Sequence, residues 1–492
     1  MTRRTSRLLL ASTLIPLIFG ITACHRSTAV DASRFEHVEN GLLPAISIQG
    51  LPATPPMKLA DRMAYYRVPG VSVAIINNGE LEWAKGYGTL TARSTDPVTT
   101  GSLFQAASIS KPITAMAALA LVQSRRLNLD ESVNLNLTSW QVPENKFTAD
   151  QKVTLRQLLS HSAGFNVGDV GSYAADASLP TLVQALDGRS PAHSPPIRLE
   201  MSPGKEFRYS GGGYSVVQQL LIDVAAKPFP DLMQDLVLSR VGMTSSTFRQ
   251  PLPTEMESIA ATGHDVNGEP LKGRWYIFPQ AAAAGLWTTP SDLARFAIEL
   301  QRSYKGAPNA ALSTDMTKQM LAPQLAGYGL GVWLGGQEQS ANFSHPGKNE
   351  GFTCILFAYL ETGQGAVVMT NGDGGNGLFN EVLRAIAHEY GWPDYRQREK
   401  TVTAINPAVY ESYVGEYEVS GIRVTVSATD EQLFVQAPPV WPQRVRLYPS
   451  GDDRFFLVDE DVDLTFAKDS QGRVVEMRAL ASGQNVTAQK VK

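Results

Sequence analysis

Runs of β-branched residues bracket a long helical middle, and this arrangement limits the fold more than any single motif does. Residues 71–76 form such a run, followed by Asn77-Asn78-Gly79 and a second strand pattern over 80–86. The Asn-Gly step supplies the positive φ angles of a tight hairpin. Between about 104 and 325 the periodicity is helical. Residues 112–123 predict one helix and 154–161 a short one ending before Gly164. Thr289-Pro290-Ser291-Asp292 predicts a third start, with Thr289 as cap, Pro290 in the first turn and Asp292 reaching back. Strand patterns return at 329–334, 353–359 and 365–370, and a helix is expected over 379–388. Strands at both ends with helices between predict an α/β (α+β) domain: one antiparallel sheet, built from both ends and flanked by helices.

The chain then changes character. Residues 396–404 are polar and read as a linker. Beyond them, short strands over 423–427, 432–436, 444–447, 454–458 and 463–467 predict a small C-terminal all-β barrel or sandwich. A length of 492 residues allows two packed cores. The expected division is 1–24 signal, 25–55 tether, 56–395 main domain and 405–492 barrel.

Arg3, Arg4 and Arg7 precede an apolar stretch over 8–21, too short to span a bilayer comfortably. It ends in Ile21-Thr22-Ala23-Cys24, which resembles a bacterial lipobox with Cys24 as the lipidated residue. The chain is therefore expected to be exported and lipid-anchored, facing the periplasm. By the sorting pattern of such lipoproteins, His25 implies the outer membrane. Cys354, the other cysteine, is read as a small buried residue, and a nucleophile there only if His345 lowered its pKa. A net charge of −4 without basic blocks argues against a nucleic-acid partner. Seven scattered histidines lack the spacing of a zinc site, so no metal or other cofactor is expected.

Three segments carry chemistry. In Ser108-Ile109-Ser110-Lys111, serine and lysine share a helical face. An alcohol needs a neighbouring base to become a nucleophile. At a helix start, its N–H also suits an oxyanion. The same spacing recurs at Ser202-Pro203-Gly204-Lys205, where Pro-Gly forces a turn and breaks the shared face. The second segment is Tyr209-Ser210-Gly211-Gly212-Gly213-Tyr214. A tyrosine near ammonium groups can act as a base. Tyr214 reads as a packing residue. The third is Ser344-His345-Pro346-Gly347-Lys348-Asn349, expected to join two strands and line the site. Taken singly, the first and third segments read better as ordinary structure, a capped helix and a surface turn, and the second reads also as a glycine-rich turn.

Together, in this order, the three resemble the serine β-lactamase-like family. That family includes class C β-lactamases, penicillin-binding D-alanyl-D-alanine carboxypeptidases, D-aminopeptidases and esterases. Leu155-Arg156-Gln157-Leu158-Leu159-Ser160-His161-Ser162, Gly285-Leu286-Trp287 and Tyr328-Gly329-Leu330-Gly331 look familial too. The barrel resembles the lipocalin-like domain often appended to these hydrolases. The resemblance implies Ser108 as acylated nucleophile, with Lys111 and Tyr209 sharing the base and relay role. His345 would bind or polarise substrate beside Gly347, and the N–H groups of Ser108 and Lys348 would form the oxyanion hole. His161 would be structural. Two departures, Gly211 for the motif's Asn and His-Pro-Gly for Lys-Thr-Gly, shift the expected substrate from β-lactams toward small peptides or esters. A non-catalytic or slowly deacylating sensor is the alternative. A further one makes the barrel a carrier of an apolar ligand through Phe455, Phe456, Leu457 and Phe466.

Overall fold

The computed structural model describes residues 1–2 and 32–491, except 420, 439, 482 and 483. Apart from Met1 and Thr2, the expected signal segment, with Cys24, lies outside the described residues. A six-stranded sheet forms the centre, made of β1 (Gly70–Asn77), β2 (Glu80–Gly88), β3 (Trp333–Gly335), β4 (Asn342–Asn349), β5 (Phe352–Tyr359) and β6 (Gly365–Thr370). Its order is β2-β1-β6-β5-β4-β3, with every neighbour antiparallel. The sheet is thus closed from both ends of the chain, β1 pairing β6 across Val71↔Thr370 to Ile76↔Gly365. At the hairpin tip Asn78 and Gly79 take φ of 53° and 74°, as the Asn-Gly step requires.

The central strands are apolar throughout because helices cover both faces. Ala74, Ile76, Leu356 and Val367 face the helices α1 (Ser110–Gln123), α2 (Gly211–Ala225) and α3 (Pro290–Tyr304). Val71, Val73, Ile75, Phe357 and Val368 face α4 (Gly375–Tyr390) on the other side. Thr289 caps α3 by accepting from the Asp292 N–H. Asp292 does not reach back. Its carboxylate takes the Ser245 N–H and Ser246 Oγ–H instead, each at 2.8 Å.

Two expected linkers are structured. Within the expected tether, Ala32–Glu39 is a helix, and Val38, Leu42 and Ile46 are buried. Ile46–Ile48 pairs in parallel with Arg398–Lys400 of the supposed linker. Ile46 also donates its N–H to the Val458 carbonyl and packs on Phe456 of the barrel. The apolar residues that hold this strap are too sparse to show a period.

The C-terminal region is a closed eight-stranded barrel running from Gly415–Val419 to Gln484–Lys490. Its interior is filled by side chains, as a barrel this small requires. Tyr413 stacks on Phe466 with centroids 4.6 Å apart, and Phe455 and Leu457 belong to the same core. Phe456 points outward against Ile46. This filling removes the carrier reading. A small cavity between the barrel and the main domain, lined by Tyr65, Tyr66, Trp441 and Glu460, measures about 20 Å³, room for a single water.

Candidate active site

Strand β4 was expected to be a connecting turn. It is a strand because the wholly buried β5 pairs with it from Asn342↔Tyr359 to Asn349↔Phe352. Its other edge meets β3 only as far as Ser344. Pro346, which has no N–H to donate, therefore sits where the strand is an edge. That free edge faces the turn carrying Ser108. Gly347 is needed for the approach: a Cβ there would lie 2.3 Å from the Ala106 carbonyl oxygen and 2.6 Å from Cys354 Sγ. Its role is this contact rather than room for a substrate backbone. Cys354 Sγ–H donates to the same carbonyl at 3.2 Å, and burial pushes the thiol up. A buried, protonated thiol is not a nucleophile.

Ala107, just before Ser108, takes a φ of 49°. That is a left-handed conformation costly for a residue with a Cβ. A 3₁₀ turn over Ala107–Ile109 then leads into α1, so Ser108 stands half-buried at the helix mouth. Lys111, 2% exposed, places Nζ 3.0 Å from Ser108 Oγ and donates to the Ala283 carbonyl at 2.9 Å. Among the described residues no carboxylate pairs with it. Nζ lies 4.9 Å from the centroid of the Tyr209 ring and 5.7 Å from that of Tyr214. Tyr209 thus joins the pair through its ring, and its hydroxyl bonds to no described residue. Lys205, of the second Ser-x-x-Lys, is exposed beside Gly204 in a turn (φ 81°).

The three glycines expected as a turn are the first turn of α2. Ser210 caps it, accepting from the Gly213 N–H at 3.0 Å and donating to the Val167 carbonyl at 2.6 Å. A Cβ at position 211 would lie 2.8 Å from the Gly168 carbonyl oxygen, so this loop leaves no space for an Asn. Tyr214 is buried and donates to the Leu159 carbonyl, a packing role as expected.

His345 is 1% exposed, with both ring nitrogens engaged by the protein. The Pro346 carbonyl can only accept, so Nδ1 carries the proton and donates at 2.6 Å. Nε2 then accepts from the Tyr328 hydroxyl at 3.1 Å. Burial, and then the nearby Lys111 ammonium, depress its pKa to about 3. His345 is therefore a neutral, inward-facing residue and not a replacement cation for a substrate carboxylate. His161 is similar. Its Nδ1 accepts from the Ser210 N–H at 3.1 Å, its ring lies 4.2 Å from that of Tyr209, and its buried Nε2 finds no partner. Burial, and then the nearby Lys111 ammonium, hold it well below the ordinary imidazole range. It braces the backbone beside Tyr209.

A cleft of about 380 Å³ opens over these groups. Ser108, Lys111, Gly168–Val170, Gly211, Phe278, Ala283, Ala284, Lys348, Asn349, Glu350 and Asp373 line it, and none of these belongs to the barrel. Sequence reasoning did not single out Tyr328 or Asn349. Tyr328 lay in a familial segment and Asn349 in the third motif, but neither carries a spacing signal of its own.

The likeness to known proteins follows the same outline. The Beta-lactamase family profile matches residues 58–390. Penicillin-binding protein 4* of Bacillus subtilis is 23% identical over 420 residues, covering 81% of this chain and 90% of that protein. Among solved structures, the octameric penicillin-binding protein homologue from Pyrococcus abyssi superposes with a TM-score of 0.60 at 20% identity, covering 87% of this chain and 98% of that one. The D-amino acid amidase from Ochrobactrum anthropi superposes with a TM-score of 0.55 at 24% identity, covering 67% of this chain and 96% of that one. With the profile spanning the sheet, the helices and the cleft, the chain belongs to the Beta-lactamase family of serine hydrolases.

Proposed function

We propose that this protein hydrolyses amide or ester bonds of small substrates, D-amino-acid-containing peptides foremost, through an acyl-enzyme on Ser108. The observation that carries the reading is the 3.0 Å approach of the buried Lys111 amine to Ser108 Oγ at the floor of an open cleft. In its deprotonated form, Lys111 takes the hydroxyl proton as Oγ attacks the carbonyl carbon. The proton then passes to the leaving amine or alcohol, with Tyr209 beside the path. The N–H groups of Ser108 and Lys348 hold the oxyanion. Water repeats the sequence to release the acid. With His345 neutral and position 211 a glycine, a β-lactam carboxylate and side-chain amide find fewer partners, which favours peptide and ester substrates.

A fluorophosphonate probe is expected to label Ser108, located by peptide mass spectrometry. D- and L-aminoacyl anilides and p-nitrophenyl esters are expected to be turned over faster than nitrocefin, and Ser108→Ala to turn over none of them. Label on another residue, or activity retained in Ser108→Ala, would sink the reading. A burst without steady turnover would favour the sensor alternative.

Export and anchoring at Cys24 belong to the same proposal. The mature chain should begin at Cys24 and carry acyl mass there, and Cys24→Ser should remain unprocessed. An intact mass showing cleavage elsewhere and no lipid would refute it.

A further inference from the structure

We infer that Asn349 selects substrates whose acyl part carries an N–H beside the scissile carbonyl, by accepting that hydrogen on its Oδ1. The inference rests on the acyl-Ser108 reading and adds its substrate class.

The Asn349 amide is oriented by a chain of hydrogen bonds that begins at a backbone carbonyl. The Tyr276 carbonyl can only accept, so Gln105 turns its Nε2 toward it, at 2.7 Å. Gln105 Oε1 is then left to accept from Asn349 Nδ2 at 2.8 Å. The same Nδ2 donates to the Ala284 carbonyl at 3.2 Å. A flipped Asn349 would press its oxygen against two acceptors. Its Oδ1 is therefore fixed as the atom left over, and no described residue donates to it.

Asn349 is 5% exposed, yet it lines the cleft that holds Ser108. Its Oδ1, with no protein donor, opens to the cleft as a fixed acceptor that a ligand N–H can satisfy. It is also the residue after Lys348 on the edge strand, so it stands one step from the proposed oxyanion donor. The surrounding charge indicates which N–H donor is favoured. Asp169, Glu350 and Asp373 line the same cleft, with Lys348 and, at its floor, Lys111 as the cations. Neutral His345 offers no positive charge to a substrate carboxylate. Acceptors thus outnumber donors along this wall, which suits a protonated amine. The substrate class is an α-aminoacyl amide or ester.

The test compares kcat/KM for phenylalanine p-nitroanilide, in both enantiomers, with that for 3-phenylpropionyl p-nitroanilide, the same compound without its amine. Wild type should prefer the better amine-bearing enantiomer by roughly 10- to 100-fold, the size expected for a hydrogen bond from a charged donor. Asn349→Ala should reduce that preference to within about threefold. Asn349→Ser, whose hydroxyl can still donate to Gln105, guards against a collapsed site. Fluorophosphonate labelling of Ser108 shows in each variant that the nucleophile remains assembled. Three results overturn the inference in a protein that labels: equal turnover of the two compounds by wild type, turnover of neither, or the preference kept in both variants. Absence of labelling in wild type is a different result, and it removes the acyl-enzyme reading itself.

Discussion

Lys111→Ala is expected to lower turnover by about 10³- to 10⁴-fold while leaving the fold intact, and Lys111→Arg to be nearly as inactive. The arginine variant is the informative one. A guanidinium keeps the positive charge but cannot give up its proton in a protein. If Lys111 served only as a cation to stabilise charge near Ser108, arginine would rescue much of the rate. If it takes the Ser108 proton, arginine fails. Lys111 sits 3.0 Å from Oγ and is held from behind by the Ala283 carbonyl, so its amine is already aimed along the transfer path. Ser108→Ala should cost as much as Lys111→Ala, and the double variant no more than either, because nucleophile and base act as one unit. Steady-state kinetics on the best ester of the panel, with circular dichroism as the fold control, decides the matter. Additive losses in the double variant, or activity within tenfold of wild type in Lys111→Arg, would remove lysine from the base role.

The same lysine shows how far sequence alone could reach. Ser108 and Lys111 were legible because a three-residue spacing on a helix fixes a shared face whatever surrounds it. The hairpin at Asn78-Gly79 and the buried run of β6 were legible for the same reason: local chemistry decides them. Strand β4 was not. His345, Pro346, Gly347 and Lys348 show no alternation of apolar residues, and the segment is extended only because β5 pairs with it. The barrel strands Val474–Ala481 and Gln484–Lys490 were missed because exposed Leu480 and Val486 and several charged residues blur the period. At the site, sequence could not orient His345. Only the Tyr328 hydroxyl and the Pro346 carbonyl reveal that it is turned inward and neutral. Asn349 depends on Gln105, 244 positions away, a contact no local pattern encodes.

Those inward-facing histidines should make the protein acid-sensitive well above the carboxylate range. Burial, and then Lys111, lower the His345 pKa to about 3 in the folded chain against about 6.5 when unfolded, and His161 is also held well below 6.5. A group whose folded pKa is depressed contributes stability that is full above its unfolded pKa and is lost as pH falls toward the folded value. The window is therefore pH 6.5 downward to about 3. Between pH 6.5 and 5 His345 should cost about 1.6 kcal/mol from a total of roughly 5–15, and His161 acts in the same direction. The cause is physical crowding of charge: a proton on His345 would place a second cation beside Lys111, in a pocket closed by His161, Tyr209 and Tyr328. Burial holds the Glu381 and Asp373 carboxyls above their ordinary range, which works in the opposite direction as pH falls. A single variant separates the contributions. Thermal unfolding from pH 7.5 to 5 should show Tm falling steadily in wild type. His345→Gln, which cannot be protonated, should start lower at pH 7.5 and fall less steeply. A wild-type Tm that stays level across this range, or a slope unchanged in His345→Gln, would show that His345 is not the buried neutral group that its contacts with Tyr328 and Pro346 make it.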